Sequence, residues 1–321
     1  MRQFESDVEA ANALATSYEQ LKAEISKVIV GQEEVVRLLL TSIFAQGHCL
    51  LVGVPGLAKT LLVQTIASAL ELSFNRIQFT PDLMPSDIVG AETLDKDRNF
   101  QFLKGAIFAN IILADEINRT PPKTQAALLE SMQEYAVTIA GKKYELPRPF
   151  FVLATQNPIE QEGTYPLPEA QLDRFMFNIE LDYPSYQAEV DIVKNTTGGE
   201  RKEVNEVLSS EDLIYFQSLI RTVTVADNVI EYAVKLVHKT RPNTDLASTE
   251  ANQYLEWGAG PRASQYLILG AKCNALLHGK YSPDIEDVQA VALAILRHRI
   301  VRNFKAEAEG ITVASIVERM L

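Results

Sequence analysis

Apolar residues recur at two different spacings along the chain. The first 45 residues carry them at helical spacing and predict two helices broken near Gly31. From there to about Leu181, short apolar runs alternate with helical stretches, which is typical of parallel strands covered by helices. The runs are residues 48–52, 74–79, 110–114, 150–154 and 175–181. The pattern therefore predicts an α/β domain with a five-stranded parallel sheet.

The strand pattern ends at Tyr183 and Pro184. Helical periodicity then predicts helices over residues 186–195, 210–221, 227–240, 262–279, 284–300 and 311–320. We therefore predict an α/β domain over residues 1–184 and an all-helical domain over residues 185–321.

Two segments of the α/β domain are predicted to form inserted hairpins. Residues 80–105 are too long for a simple connection between a helix and a strand, and their polarity alternates around Asp95 to Phe102. In residues 136–146, Gly141, Lys142 and Lys143 separate two β-prone stretches. Both hairpins should project from the sheet.

Composition excludes several classes of protein. The 321 residues include 30 Lys and Arg against 42 Asp and Glu, giving a net charge of −12, which disfavours a dedicated duplex-DNA binder. No apolar run approaches the roughly 18 residues of a membrane span, and the start lacks a signal-peptide pattern, so we expect a cytoplasmic protein. The two cysteines, Cys49 and Cys273, lack the spacing of a zinc site or a disulfide scaffold.

The strongest chemical motif lies between the first strand and the next helix. The sequence GVPGLAKT, residues 53–60, resembles a phosphate-binding P-loop, in which small residues turn backbone N–H groups toward a phosphate. Lys59 would reach the β and γ phosphates, and Thr60 would bind Mg²⁺. Ala58 replaces the usual glycine before the lysine. We expect the loop to bind phosphate all the same, because Ala58 can adopt right-handed helical angles and Gly56 could supply the backbone freedom instead. The expected nucleotide-binding residues here are Gly53, Val54, Pro55, Gly56, Leu57, Ala58, Lys59, Thr60 and Leu61.

Polar residues also follow two other predicted strands. Asp115 and Glu116 end the strand of residues 110–114, where Asp115 could hold a metal and Glu116 could polarise a water for attack. Asn157 follows the strand of residues 150–154; it could position the attacking water, or it could simply form an Asn-Pro turn.

Basic residues near the later strand and helices have two interpretations. Arg174 precedes the last strand and could be an ordinary ion-pair partner, and Arg119 could lie at a subunit interface or be solvated. The run Arg297, His298 and Arg299, with Arg302, favours a solvated helix face over a phosphate-binding patch.

Taken together, the motifs resemble the MoxR family of AAA+ ATPases over nearly the whole chain. They are GxPGxxKT, LADEINR, ATQNP, LPEAQLDRF and GPRAS, in the family's order. The resemblance implies a P-loop AAA+ domain followed by a helical lid. The resemblance assigns Lys59 and Thr60 to the Walker A motif, and Asp115 and Glu116 to the Walker B motif. It assigns Asn157 to sensor 1, Arg174 to the arginine finger and Arg262 to sensor 2. It also implies that Gly31 and Gln32 form part of the adenine pocket.

The resemblance also implies a reaction and partners. We expect ATP hydrolysis with Mg²⁺, a homo-oligomeric ring of six subunits, and remodelling of protein clients with a separate von Willebrand factor A domain protein. In such a ring Arg174 would act on the neighbouring subunit's γ phosphate, and Arg262 could contact the phosphate within its own subunit.

Three other functions stay open at this point. A metal-insertion motor similar to magnesium chelatase is one. A nucleic-acid motor using Lys142 and Lys143 is disfavoured by the net charge of −12. A nucleotide switch with little hydrolysis is disfavoured by the presence of Glu116 and Arg174.

Overall fold

The computed structural model describes residues 4–94, 96–159, 163–198 and 202–321. Its helices are α1 (Asp7–Ser26), α2 (Glu33–Phe44), α3 (Lys59–Ala69), α4 (Pro85–Val89), a 3₁₀ turn (Ile117–Arg119), α5 (Pro122–Glu134), α6 (Glu169–Leu172), α7 (Tyr186–Thr197), α8 (Ser210–Thr222), α9 (Asp227–Lys239), α10 (Thr249–Tyr254), α11 (Pro261–Leu277), α12 (Ile285–Leu296), α13 (Phe304–Ala308) and α14 (Val313–Met320). Its strands are β1 (Cys49–Gly53), β2 (Phe74–Gln78), β3 (Gly90–Leu94), β4 (Phe100–Lys104), β5 (Ile111–Asp115), β6 (Ala136–Ile139), β7 (Lys142–Glu145), β8 (Phe151–Gln156), β9 (Phe177–Leu181), β10 (Leu255–Trp257) and β11 (Val301–Arg302).

Five strands form the central sheet in the order β2-β5-β8-β1-β9, and all neighbouring pairs are parallel. The predicted five-stranded parallel sheet is therefore confirmed, with one strand from each apolar run. β8 lies between β5 and β1, so the carboxyl ends of these three strands meet at one edge of the sheet.

The two faces of the sheet belong to different cores. Leu51 and Leu113 pack with α1, α2, α3 and the helices of the second half, whereas the adjacent Leu50 and Ile112 pack with α5 and the hairpins. Burial on both faces explains why the inner strands β1, β5 and β8 are continuous apolar runs, whereas the outer strands β2 and β9 also carry polar residues.

Both predicted hairpins are present. β3 pairs with β4 and β6 pairs with β7, each antiparallel, and the rings of Phe102 and Tyr144 stack at 4.0 Å to join the two. The strands of the first hairpin extend further than the alternation around Asp95 to Phe102 predicted, and Asp95 lies outside the described residues. Helix α4, just before this hairpin, was not predicted.

The described residues of the second half are helical apart from one short antiparallel pair, β10 with β11. Strands of three and two residues are too short to produce a periodic pattern, so the sequence did not predict this pair. Helices α10 and α13 were also not predicted, and α12 ends at Leu296 rather than near residue 300.

The helices of the second half share a continuous core with the N-terminal helices. Tyr18 of α1, Leu39 of α2 and Leu267 of α11 all belong to it. The division at residue 184 therefore remains a prediction about domains. Among the described residues, no helix has the length and apolar character needed to cross a membrane.

Candidate functional site

The loop between β1 and α3 is shaped by close backbone packing. A side chain at Gly53 would place its Cβ 2.8 Å from the Cβ of Leu181, so only glycine fits there. Gly56 has a φ of +88°, which glycine adopts without strain. Ala58 has a φ of 53° and a ψ of 28°. The expectation of right-handed angles at Ala58 was wrong: the turn into α3 requires left-handed ones, at a cost of about 1 kcal/mol for a residue with a Cβ.

Lys59 is the first residue of α3, and its ammonium donates a hydrogen bond to the carbonyl of Gly53, across the loop. Partial burial lowers the pKa of Lys59, while the carboxylates of Asp115 and Glu116 act in the opposite direction. Lys59 therefore lies close enough to Asp115 and Glu116 for their negative charges to favour its charged form. The remaining predicted loop residues, Val54, Pro55, Leu57 and Thr60, lie between or beside these positions, and Leu61 is partly exposed in the first turn of α3.

Asp115 is the last residue of β5 and is bound on both carboxylate oxygens. The hydroxyl of Thr155 donates to Oδ1 at 2.6 Å, and Arg76 donates to Oδ2 from Nη2 at 2.6 Å and from Nε at 3.1 Å. A carboxylate offers about four lone-pair positions, so these bonds leave acceptor capacity for a cation.

Glu116 adopts a left-handed backbone conformation, with φ 57°. Its amide donates to the hydroxyl of Thr155 at 2.9 Å. Its Oε2 accepts hydrogen bonds from Nε2 of Gln78 at 2.8 Å and from Nη1 of Arg119 at 2.9 Å. Arg119, for which sequence left two interpretations, thus pairs with the candidate base.

Sequence reasoning missed Arg76, Gln78 and Thr155. A signal existed for the first two, because Arg76 and Gln78 are polar residues two apart in one strand and so share one face. Thr155 carried none, since threonine is common in strands.

Asn157 directly follows β8, between the ends of β5 and β1. It is buried, and its Oδ1 accepts a hydrogen bond from the amide of Ile159 at 3.2 Å. The structure thus places Asn157 at the edge of the sheet where β5 and β1 also end, and its side chain also forms a bond within the turn.

The segment predicted to contact adenine lies against the P-loop. Gly31 has a φ of +74°, and a Cβ there would lie 2.6 Å from the Cβ of Ala188. Nε2 of Gln32 donates to the carbonyl of Leu57 at 3.3 Å. Among the described residues, Oε1 of Gln32 is buried without a hydrogen-bond partner. Both residues line a cavity of about 360 Å³ that also includes the end of β9.

Arg174 and Arg262 lie elsewhere. Arg174 precedes β9, whose start is fixed by a bond from the amide of Met176 to the carbonyl of His48, just before β1. Both arginines line a cavity of about 160 Å³ with His48. They therefore lie at the end of the sheet where the parallel strands begin, which we call the amino edge. The P-loop follows β1, and the five residues of that strand separate the two edges by about 16 Å.

In this structure Arg262 does not lie near the P-loop, where the resemblance implied a contact with a phosphate of its own subunit. Arg262 is the second residue of α11, and its Nη1 contacts Oδ2 of Asp173 at 3.1 Å, next to Arg174 in the chain. The packing of α11 at the amino edge brings Arg262 to Arg174 and not to Lys59.

The basic run near the end of α12 is also not a solvated face. The side chain of Arg299 is 2% exposed and forms an ion pair with Asp173 at 2.8 Å. Burial lowers the pKa of His298 well below its usual value, with Arg299 contributing.

Family models and known proteins match this architecture. Residues 48–177 match the model described as ATPase family associated with various cellular activities, and residues 247–320 match the AAA lid domain. The chain is 42% identical to the uncharacterized protein YeaC of Bacillus subtilis over 299 residues, covering 92% of this chain and 91% of that protein. It is also 42% identical to Chaperone MoxR1 of Mycobacterium tuberculosis over 299 residues, covering 93% and 79%.

A solved structure agrees over nearly the whole fold. The crystal structure of a Cytophaga hutchinsonii protein, 43% identical in sequence, superposes with a TM-score of 0.91 and covers 97% of this chain and 95% of its own. The chain belongs to the MoxR family of AAA+ ATPases.

Proposed function

We propose that this chain hydrolyses ATP with Mg²⁺ in a homo-oligomeric ring, in which each site is completed by two subunits. One observation carries the proposal: the P-loop with its acidic pair and the two arginines lie at opposite edges of one sheet. A single subunit cannot bring Arg174 to its own Lys59, whereas neighbouring subunits in a ring can place one edge against the other.

The residues at the carboxyl edge fit a nucleotide. Backbone amides of the P-loop and the start of α3 suit phosphates, and Lys59 adds a positive charge. The buried, unpaired Oε1 of Gln32 offers an acceptor for the amino group of adenine.

The hydroxyl of Thr60 and the carboxylate of Asp115 are the oxygen ligands that would hold Mg²⁺. Bound there, the metal would supply charge neutralisation for the β and γ phosphates.

Glu116 is the candidate base, and its contacts define how it acts. An attacking water must take a hydrogen-bond position on the carboxylate, while Gln78 and Arg119 already donate to Oε2. We infer that Oε1 receives the water and that the two donors orient the group. Asn157, beside Glu116 at the same edge, would orient the water or contact the γ phosphate.

Arg174 and Arg262 would stabilise the charge that develops on the neighbour's γ phosphate. Arg262 lies beside Arg174, so we propose that both cations act from the same side of the subunit interface. We propose a ring of six cytoplasmic subunits that remodels protein clients, with a separate von Willebrand factor A domain partner; the family resemblance supports these points.

Mixing variants tests the two-subunit site. Lys59→Ala and Arg174→Ala should each be inactive alone, but mixed rings should recover hydrolysis, because an intact P-loop then meets an intact arginine. Lys59→Ala mixed with Arg262→Ala should recover likewise. The matched control is Lys59→Ala mixed with Glu116→Gln, which damages the same half-site twice and should stay inactive. If mixed rings form but the arginine variants recover nothing, the proposal is wrong.

A further inference from the structure

The segment that carries Arg174 is held by side chains from the second half of the chain. We call residues 173–176 the finger segment. All four of its backbone carbonyls accept hydrogen bonds from residues of α11 or of the turn after α12. The bonds run from Arg299 Nη2 to Asp173 O at 2.9 Å and to Phe175 O at 2.6 Å, from Arg299 Nη1 to Met176 O at 3.2 Å, from Tyr266 Oη to Arg174 O at 3.3 Å, and from His298 Nε2 to Phe175 O at 3.0 Å.

Arg299 supplies most of this contact and uses its whole guanidinium. Nε donates to Oδ1 of Asp173 at 2.8 Å, and a second bond from Nη1 reaches the carbonyl of Ile295. With the three bonds to finger-segment carbonyls, all five N–H donors are engaged. The group also lies over the ring of Tyr266, 5.1 Å from its centroid.

Such a site demands arginine. Lysine carries three donors on a single nitrogen and cannot reproduce the planar fork that reaches carbonyls on both sides of Arg174. Removing a cation from water costs free energy. Apolar packing would join the two surfaces without that desolvation cost, so joining them does not by itself require a buried arginine. The arrangement therefore fixes the orientation of the finger segment as well as its distance from the second half of the chain.

The contacts also link the finger segment to Arg262. Asp173 binds Arg299 through Oδ1 and Arg262 through Oδ2. One carboxylate therefore holds both α11 and the turn after α12. Any movement of these elements relative to the sheet must either carry the finger segment along or break several hydrogen bonds together.

We propose that Arg299 and Tyr266 are positioning residues for hydrolysis in the neighbouring subunit: they fix Arg174 to the helical second half, so that the position of that half sets whether the neighbour's site is complete. This inference rests on the proposed function, specifically on the role of Arg174 across the interface. It adds a route by which the conformation of one subunit's lid controls the ATP site of the next.

Arg299→Lys is the main test. It keeps the charge near Asp173 but releases finger-segment carbonyls, and a displacement of about 1 Å at a catalytic cation can lower kcat by about 100-fold. KM should change little, because the variant's own P-loop is intact. The matched control is Arg302→Lys, since Arg302 binds the carbonyl of Ile311 and not the finger segment.

A mixing readout separates positioning from general damage. Rings of Arg299→Lys with Lys59→Ala should recover hydrolysis, because the Lys59→Ala subunit presents a correctly held Arg174 to the variant's intact P-loop. A general folding defect would not be rescued in this way. A parent kcat for Arg299→Lys, or no recovery in mixed rings that demonstrably form, would overturn the proposal.

Tyr266→Phe keeps the proposal testable if Arg299→Lys fails to assemble. It removes only the hydroxyl at the carbonyl of Arg174, and the loss of one such bond should lower kcat about fivefold with KM unchanged. The control is Tyr232→Phe, whose hydroxyl binds the carbonyl of Leu321. Equal kcat values for the two variants would overturn the role of Tyr266.

Failure of the positioning role and failure of the proposed function give different results. An Arg174→Ala protein with the parent kcat would contradict the two-subunit site itself. A defective Arg174→Ala beside unaffected Arg299→Lys and Tyr266→Phe would contradict the positioning role alone.

Discussion

Replacing Thr155 with valine should separate hydrolysis from ATP binding. The Thr155 hydroxyl donates to Asp115 Oδ1 at 2.6 Å and accepts from the Glu116 amide at 2.9 Å, and Thr155 is 1% exposed. The Thr155→Val variant keeps the shape of the side chain but removes both bonds. The backbone of Glu116, at a φ of 57°, then loses the contact that holds it to β8.

The size of the effect follows from the two bonds. A bond to a charged group contributes about 2 kcal/mol and a neutral bond about 1 kcal/mol, so unfolding in urea should require ~3 kcal/mol less free energy. A carboxylate of Glu116 displaced by about 1 Å should lower kcat by about 100-fold. KM should stay near the parent value, since Lys59 and the P-loop are untouched.

The control is Thr155→Ser, which keeps the hydroxyl and loses one methyl group, worth about 1 kcal/mol of stability. Its kcat should remain near that of the parent. Steady-state ATPase assays and urea titrations of all three proteins decide the matter. If Thr155→Val matches Thr155→Ser in both kcat and unfolding free energy, the bridging role of the hydroxyl is wrong.

Three further predictions concern the loop, the reaction and acid stability. Lys59→Ala should abolish ATP binding, whereas Glu116→Gln should bind ATP and fail to hydrolyse it. A fluorescent ATP analogue measures the binding, and phosphate release measures the hydrolysis. A Glu116→Gln protein with the parent turnover would exclude Glu116 from the mechanism. Ala58→Gly should raise the unfolding free energy by about 1 kcal/mol, because glycine adopts left-handed angles without strain. The greater conformational entropy of glycine in the unfolded chain reduces this gain. A loss of stability in urea titrations would show that the strain is absent. Burial lowers the pKa of His48 to about 4, against an ordinary value of 6.5, so the unfolded chain binds more protons between these pH values. Stability should therefore fall as the pH drops from 6.5 to 4, by about 3 kcal/mol from His48 with an added contribution from His298, and urea titrations of His48→Asn should show a shallower pH dependence; an unchanged slope would contradict the burial argument.

Sequence alone determined the elements whose pattern is local. The inner strands β1, β5 and β8 are buried on both faces, so each appears as an uninterrupted apolar run. The P-loop lies in contiguous residues between a strand and a helix. The acidic pair and Asn157 follow predicted strands directly. Since parallel strands end at a common edge, these residues were expected at one edge, but only the strand order showed that β8 lies between β5 and β1.

Tertiary structure decided what depends on packing between distant segments. The backbone angles of Ala58 follow from how β1 meets α3, not from the identity of the residue. Arg262 was expected near its own phosphate, but the packing of α11 at the amino edge puts it beside Asp173. Arg299 looked like part of a charged surface, yet its side chain is buried and binds Asp173, which lies 126 residues away in sequence. The sequence shows that a residue has a charged side chain. Whether that side chain is buried depends on which distant segments pack around it, and only the folded chain specifies this packing.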